Sequence, residues 1–225
     1  MCERYGITRS ISAKGCTPDN SATEGFFGRL KLIAKRPTKR NYGSYKGEIS
    51  DAPENLVKRE FHAQAPNQLW LTDIIEFSIP GGKAYLSPVA DCFDGMCIAW
   101  SQSTSPNAEL VNSMLDAAAS KVHEGEHPVG HGDRGCHYRW PGWIEWCERY
   151  GIIRSMSKKG CSPDNSAMEG LFRRLKVEFF YGRDWSGWSM DALDDYIHWY
   201  NEERIKLSLG GMSPMQYRRS LGLAA

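Results

Sequence analysis

The chain has 225 residues, 41% hydrophobic and 24% charged, with a formal net charge of +1. That length suits one sizeable domain with extensions, and the near-zero charge gives composition alone no claim to a polyanion partner. No apolar run approaches the ~18–20 residues of a membrane span, and the opening MCERYGITRS lacks a secretory apolar core, so the sequence reads as cytoplasmic, with no membrane partner.

Residues 2–31 repeat residues 147–176 without gaps, differing at seven of thirty positions. A single strand, loop and helix cannot bury its own apolar face. Residues 1–33 therefore read as a partial duplicate, the tail of one gene copy joined to the front of another, and not as a domain. Glu24 occupies the place of Glu169 there and receives no catalytic role. Residues 34–66 lack sustained periodicity and are rich in Lys, Arg, Pro, Gly and Asn, a basic linker with at most a short helical turn near Glu54–Phe61. Between Arg29 and Glu48 seven basic residues face one acid, and between Arg154 and Arg183 seven face three. Basic tracts around isolated acids fit a polyanion better than a membrane.

From Trp70 the pattern changes. LWLTDIIEF predicts a strand with Asp73 in its middle, GGKAYLSPVADCF a glycine turn and second strand, and MCIAWSQS a third, together an antiparallel meander. A helix follows from Ser105–Pro106 to about Lys121. HPVGHGD is a short fourth strand ending at Asp133, Pro141–Tyr150 a helix closed by Gly151, and GIIRS a fifth strand. A basic loop then runs into a helix opening at Ser162–Pro163–Asp164, where Asp or Ser can cap free N–H groups. Met168, Leu171, Phe172, Leu175 and Phe179 form its apolar stripe. Ser189 caps a helix through about Asn201, and the remaining tail is mostly irregular. The order βββαβαβα predicts a mixed α/β sheet with helices on both faces over residues 67–225.

Three acids stand where such a sheet could gather them. Asp73 is in the first strand, Asp133 ends the fourth, and Glu169 lies on the third helix, with Arg173 and Lys176 at i+4 and i+7. Neighbouring first and fourth strands would put both aspartates at one end of the sheet. Converging carboxylates repel unless a cation joins them, and hard oxygen donors suit Mg²⁺ or Mn²⁺. A solvated helix face with an i,i+4 ion pair is the plain alternative for Glu169 and Arg173. His131, Cys136 and His137 lack a fourth partner for zinc. The seven cysteines form no CxxC pair and read as free thiols. Glu76, Asp91 and Asp94 read as surface or turn residues, and the tryptophans as packing.

WLTDI, HGDRGCHY, SMSKKGCSPDNSAMEGLF, WYNEERIKLSLGGMSP and YRRSLG occur in this order. Together they closely resemble the orfB-type transposases of insertion-sequence family three, in the DDE integrase-core superfamily, over about residues 42–223. The resemblance implies an RNase H-like fold and DNA strand cleavage and transfer at element ends. It implies two Mg²⁺ or Mn²⁺ ions held by Asp73, Asp133 and Glu169, which match the family's catalytic acids. Lys176 matches a basic residue that contacts DNA in such enzymes, and Arg173, Lys158, Lys159 and Arg154 are expected to join it. His131, Asp164 and Asn165 are expected as support, the last two as helix caps. A homo-oligomer on bacterial DNA is implied, with a partner subunit supplying a helix-turn-helix end-binding region. Gly132 stands where the family usually has Ser, and Arg173 where it usually has Gly. The other expectation is a truncated remnant that binds DNA or partner subunits without cutting.

Overall fold

The computed structural model describes residues 50–158, 162–186 and 189–223. The segment read as a partial duplicate at 1–33, the part of the expected linker up to residue 49, and Lys159 lie outside the described residues. Six strands form one mixed sheet: β1 (Leu69–Thr72), β2 (Ile75–Ile79), β3 (Gly82–Asp91), β4 (Cys97–Ser103), β5 (Val129–Gly132) and β6 (Ile153–Met156). β3 pairs antiparallel with β1, β2 and β4, which is the expected meander. β1 pairs parallel with β5, and β5 with β6.

The predicted first strand is two strands, interrupted at Asp73–Ile74. The register against β3 is the same on both sides of the gap, Thr72 facing Val89 and Ile75 facing Leu86. Continued through the gap, it sets Asp73 opposite Pro88, which has no N–H to donate. The ladder lapses there, and Asp73 Oδ1 accepts the Ile74 N–H, which faces away from β3, at 2.7 Å.

The helices are α1 (Ala108–Ala119), α2 (Pro141–Arg149), α3 (Ser166–Leu175), α4 (Met190–Glu202) and α5 (Pro214–Ser220). α1 starts later than the proline suggested. Asn107 is its cap, accepting Leu110 N–H at 3.0 Å, so Pro106 precedes the helix. The stripe of α3 is as expected: Met168, Leu171, Leu175 and Phe179 are buried and Phe172 partly so. Its last turn widens into a π-helix at Lys176–Phe180. The tail is not irregular, because Ser213 and Gln216 form a capping box that launches α5 with Pro214 at its first position. The helical turn suggested near Glu54–Phe61 is absent. A tight turn closes there instead, with Glu60 N–H donating to Val57 O at 2.9 Å.

Alternation along the strands divides the core in two. Trp70, Val89 and Ile98 pack against α1 and α2 through Val111, Met114, Leu115, Trp143 and Cys147. Leu71, Phe77, Leu86 and Ala90 pack against α3 and α4 through Met168, Leu171, Leu175, Leu193 and Ile197. Helices therefore cover both faces, as expected, and α3 lies over the face to which Leu71 points.

Candidate active site

Strand register brings the two aspartates together. Leu69, Trp70 and Leu71 stand beside Val129, Gly130 and His131, and the same offset sets Asp73 beside Asp133, each immediately beyond the end of its strand. Parallel neighbours are ~4.8 Å apart. Asp73 Oδ2 takes the Asn165 amide at the start of α3, and Asp133 lies within electrostatic reach of Asp73. Burial first, and then the charge of Asp133, push the Asp73 carboxyl up to about 7, with Glu169 adding a smaller repulsion. The hydrogen bonds from Ile74 N–H and the Asn165 amide oppose that rise. Asp133 Oδ1 accepts Gly135 N–H at 2.7 Å, and Glu169 is exposed on the first turn of α3.

The supporting residues act differently from expectation. Ser162–Asn165 form a 3₁₀ turn ahead of α3, and Asn165, in the capping position, makes no side-chain cap bond. Its amide donates to Asp73 Oδ2 at 2.8 Å. Asp164 is no cap either. Its buried carboxylate accepts Asn55 Nδ2 at 3.0 Å, Arg59 Nε at 2.8 Å and Lys158 N–H at 3.0 Å, and Arg59, foremost, holds it below the usual carboxylate range. Among the described residues His131 makes no hydrogen bond to Asp133. Fully buried, it bonds Ser155 Oγ at 2.9 Å and the Asp164 carbonyl at 3.0 Å, and so ties β5 to the approach to α3. Desolvation lowers its pKa, which keeps the ring neutral and able to donate once and accept once.

The basic residues divide. Arg173 and Lys158 are exposed, and Lys176 is half-buried at the start of the π-turn, where its charge adds a small pull to the lowering of the Glu76 pKa that the Lys83 hydrogen bond chiefly causes. Arg154 does not belong with them. It stands beside Gly130 on β6 and therefore points to the α1–α2 face, where Nη2 donates to Tyr138 O at 3.4 Å. Of the acids read as surface or turn residues, Asp94 does lie in a turn and Asp91 ends β3, but neither is at the surface. Both are buried and gripped by Arg218 of α5, at 2.8 Å and 2.7 Å. Glu76 does lie at the surface, paired with Lys83 at 2.8 Å.

Sequence reading missed Asn55, Arg59, Arg218 and Asn201. Asn201 uses both ends of its amide on Cys97, accepting its N–H at 2.9 Å and donating to its carbonyl at 2.8 Å, so α4 extends the β4 ladder by one side chain. Each partner lies about a hundred residues away along the chain, and no periodicity marks such a pair. The S-x-x-Q signature of α5 was present to be read.

Among the described residues no three Asp, Glu, His or Cys side chains already form a closed metal group. The donor set nevertheless fits a hard divalent cation. Two carboxylates sit at adjoining strand ends, one of them raised in pKa by burial and then by the other's charge, and a third lies within electrostatic reach. Asn165 Oδ1, on a side chain 6% exposed, is buried with no partner among the described residues and adds a vacant acceptor beside Asp73.

A mixed six-stranded sheet with aspartates at two adjoining strand ends, one of them tied to the start of α3, is the arrangement of an integrase-type core. Solved structures agree. The simian T-cell lymphotropic virus intasome in complex with a PP2A regulatory subunit matches at TM-score 0.57 and 17% identity, covering 84% of this chain and 69% of that one. The HTLV-2 integrase catalytic core domain in complex with magnesium matches at TM-score 0.50 and 19% identity, covering 71% and 99%. The fold is RNase H-like. By sequence, residues 63–162 and 169–221 each match a family described as integrase core domain. The probable transposase for element IS1353 of Shigella flexneri is 50% identical over 97% of this chain and 44% of its own length. The putative transposase InsK for IS150 of Escherichia coli is 40% identical over 96% and 77%, and InsF for IS3A of the same species 31% over 96% and 77%. The chain spans under half the length of the Shigella relative. It belongs to the integrase-core family of insertion-sequence transposases, a family of polynucleotidyl transferase-type enzymes.

Proposed function

We propose that this chain is the catalytic core of a transposase that cleaves DNA strands at the ends of an insertion sequence and transfers them to target DNA. Asp73, Asp133 and Glu169 would hold Mg²⁺ or Mn²⁺, two ions per site. The observation that carries this reading is the pair of strand-end aspartates, adjacent by register, with the buried Asp73 raised to about 7. The magnesium bound by the HTLV-2 core supports the choice of cation. Bound there, divalent ions would activate the attacking oxygen and stabilise the leaving oxygen of an in-line phosphoryl displacement.

The chain's own residues do the holding. Asn165 turns one oxygen of Asp73 toward α3, leaving a lone pair on each oxygen for a ligand. Gly135 N–H fixes Asp133 in the same way. Arg173, Lys176 and Lys158, with Lys159, supply charge for the DNA backbone, and phosphate contacts set register before chemistry begins. The DNA-bound form would be a homo-oligomer in the bacterial cytoplasm, a partner subunit contributing end recognition. Among the described residues no helix is long and apolar enough to cross a membrane.

The test is an oligonucleotide assay with Mg²⁺ or Mn²⁺. Joining of a 3′-OH end to target DNA supports the transferase, and salt-sensitive binding without products supports a remnant that only binds. Asp133→Asn should abolish metal-dependent products while DNA affinity holds or rises, because a charge that repels phosphate is gone. Lys176→Ala should weaken DNA binding and flatten its salt dependence by about one unit. Turnover that survives Asp133→Asn removes Asp133 from the mechanism.

A further inference from the structure

We propose that residues 55–61 form a clamp on the approach to α3, and that Arg59 and Asn55 are positioning residues for the catalytic acids, acting through Asp164 and Asn165. The inference rests on the reading of Asp73, Asp133 and Glu169 given above.

The clamp starts from an unfavourable backbone. Lys58 and Arg59 both have positive φ, 50° and 73°, in a turn closed by Glu60 N–H on Val57 O at 2.9 Å. Two successive left-handed residues are ordinarily Asn-Gly or Gly-Gly, and side chains bearing a Cβ persist there only where their surroundings over-determine the shape. The surroundings do so here. Asn55 Oδ1 accepts Val57 N–H at 3.1 Å and Lys58 N–H at 2.9 Å, which folds the turn around that side chain. Leu56 N–H donates to Ser155 Oγ at 3.0 Å, which seats it on β6.

The strained turn aims two donors at one carboxylate. Asn55 Nδ2 reaches Asp164 Oδ2 at 3.0 Å, and Arg59 Nε reaches Oδ1 at 2.8 Å. Asp164 is 3% exposed, so its charge depends on those donors. Its carbonyl takes the His131 ring from β5 at 3.0 Å, and the next residue, Asn165, holds Asp73, just past β1, at 2.8 Å. Two consecutive residues thus join the clamp, the strand that carries Asp133 and the strand-end Asp73. One helical turn later comes Glu169. Releasing Arg59 from Asp164 would loosen the register of that turn, and Glu169 with it, without removing a ligand or a core side chain. Salt bridging at an exposed arginine, 56% open at its side chain, would otherwise be a weak surface pair. Its partner's burial and position make it more than that.

The test compares Arg59→Ala, Arg59→Lys, Asp164→Asn and the Arg59→Ala/Asp164→Asn double variant in the full chain. Mn²⁺ binding is read by calorimetry, and cleavage on a duplex carrying the element's own end. Arg59→Ala should raise the Mn²⁺ concentration for half-saturation about tenfold and lower kcat, with KM for DNA within twofold and the melting temperature within a few degrees. Arg59→Lys should recover most of the loss, and the double variant should be no worse than the worse single one, because both changes break one contact. Unchanged Mn²⁺ dependence in Arg59→Ala overturns the proposal, as does a loss that tracks melting temperature and resists Arg59→Lys. Failure of the underlying reading shows separately, since the parent protein would then bind no Mn²⁺ that Asp73→Asn or Asp133→Asn removes.

Discussion

Gly132 and Gly130 flank His131 on β5, and their surroundings differ. A Cβ on Gly132 would lie 3.4 Å from the Tyr138 ring and 3.5 Å from Thr72 O, ordinary contacts, whereas on Gly130 it would meet Ile152 Cγ2 at 3.0 Å. The glycine where the family usually has serine is therefore not demanded by the space around it. Gly132→Ala should stabilise the protein by about 0.4–1 kcal/mol, chiefly through the unfolded chain. Gly130→Ala should gain less or lose, since Ile152 must shift. Urea unfolding of the pair decides the matter, and equal effects would refute the contact argument. Residue types and the motifs around them offered the three acids as candidates. They said nothing about Asn55 or Arg59, whose part depends on an aspartate more than a hundred positions away.

Among the elements, α5 shows how a short helix holds a sheet corner. Arg218 reaches from it to Asp91 at the end of β3 and to Asp94 in the following turn, and both carboxylates are inaccessible to solvent. Burial raises Asp91, against the pull of the Asn67 and Phe93 N–H groups and of Arg218. Removing the arginine strands two buried acids, so Arg218→Ala should cost roughly 3–5 kcal/mol. At this size that is about 2–4 °C of melting temperature per kcal/mol. A loss under 1 kcal/mol would show that the pair contributes little. α3 is the contrasting element. Its apolar stripe was readable from period alone, but its opening was not, because Ser-Pro-Asp-Asn is the pattern of a cap and here serves a 3₁₀ turn and bonds to other elements.

Over the whole molecule, Asp73 ties stability to pH. The folded protein holds its proton to about pH 7, while the ordinary value is 3.8. Between those values the folded state binds more protons than the unfolded chain, so without metal Asp73 makes stability fall as pH rises through that window. His131 and His137, which burial pulls down, act in the opposite sense, losing stability as pH falls. Asp73→Asn isolates the carboxylate. Without metal the variant should match the parent near pH 4 and exceed it at pH 8, by at most about 1.4 kcal/mol for each pH unit that separates the folded and unfolded values. Mg²⁺ at pH 8 should stabilise the parent and not the variant. Melting curves at the two pH values, with and without Mg²⁺, test this, and a parent-to-variant gap independent of pH would sink it.

By itself the sequence determined the order of most strands and helices and their apolar faces, because periodicity is local, and it offered the three acids as candidates. It also led to an intact first strand, a helical turn before the sheet and an irregular tail, none of which the folded chain keeps. Only the tertiary structure decided that Asp73 stands beside Asp133, that Pro88 breaks the ladder at that point, and that a strained turn grips Asp164. Those outcomes depend on which backbone lies opposite which, and hydrogen-bond pairing across a sheet brings together residues that are far apart in the chain.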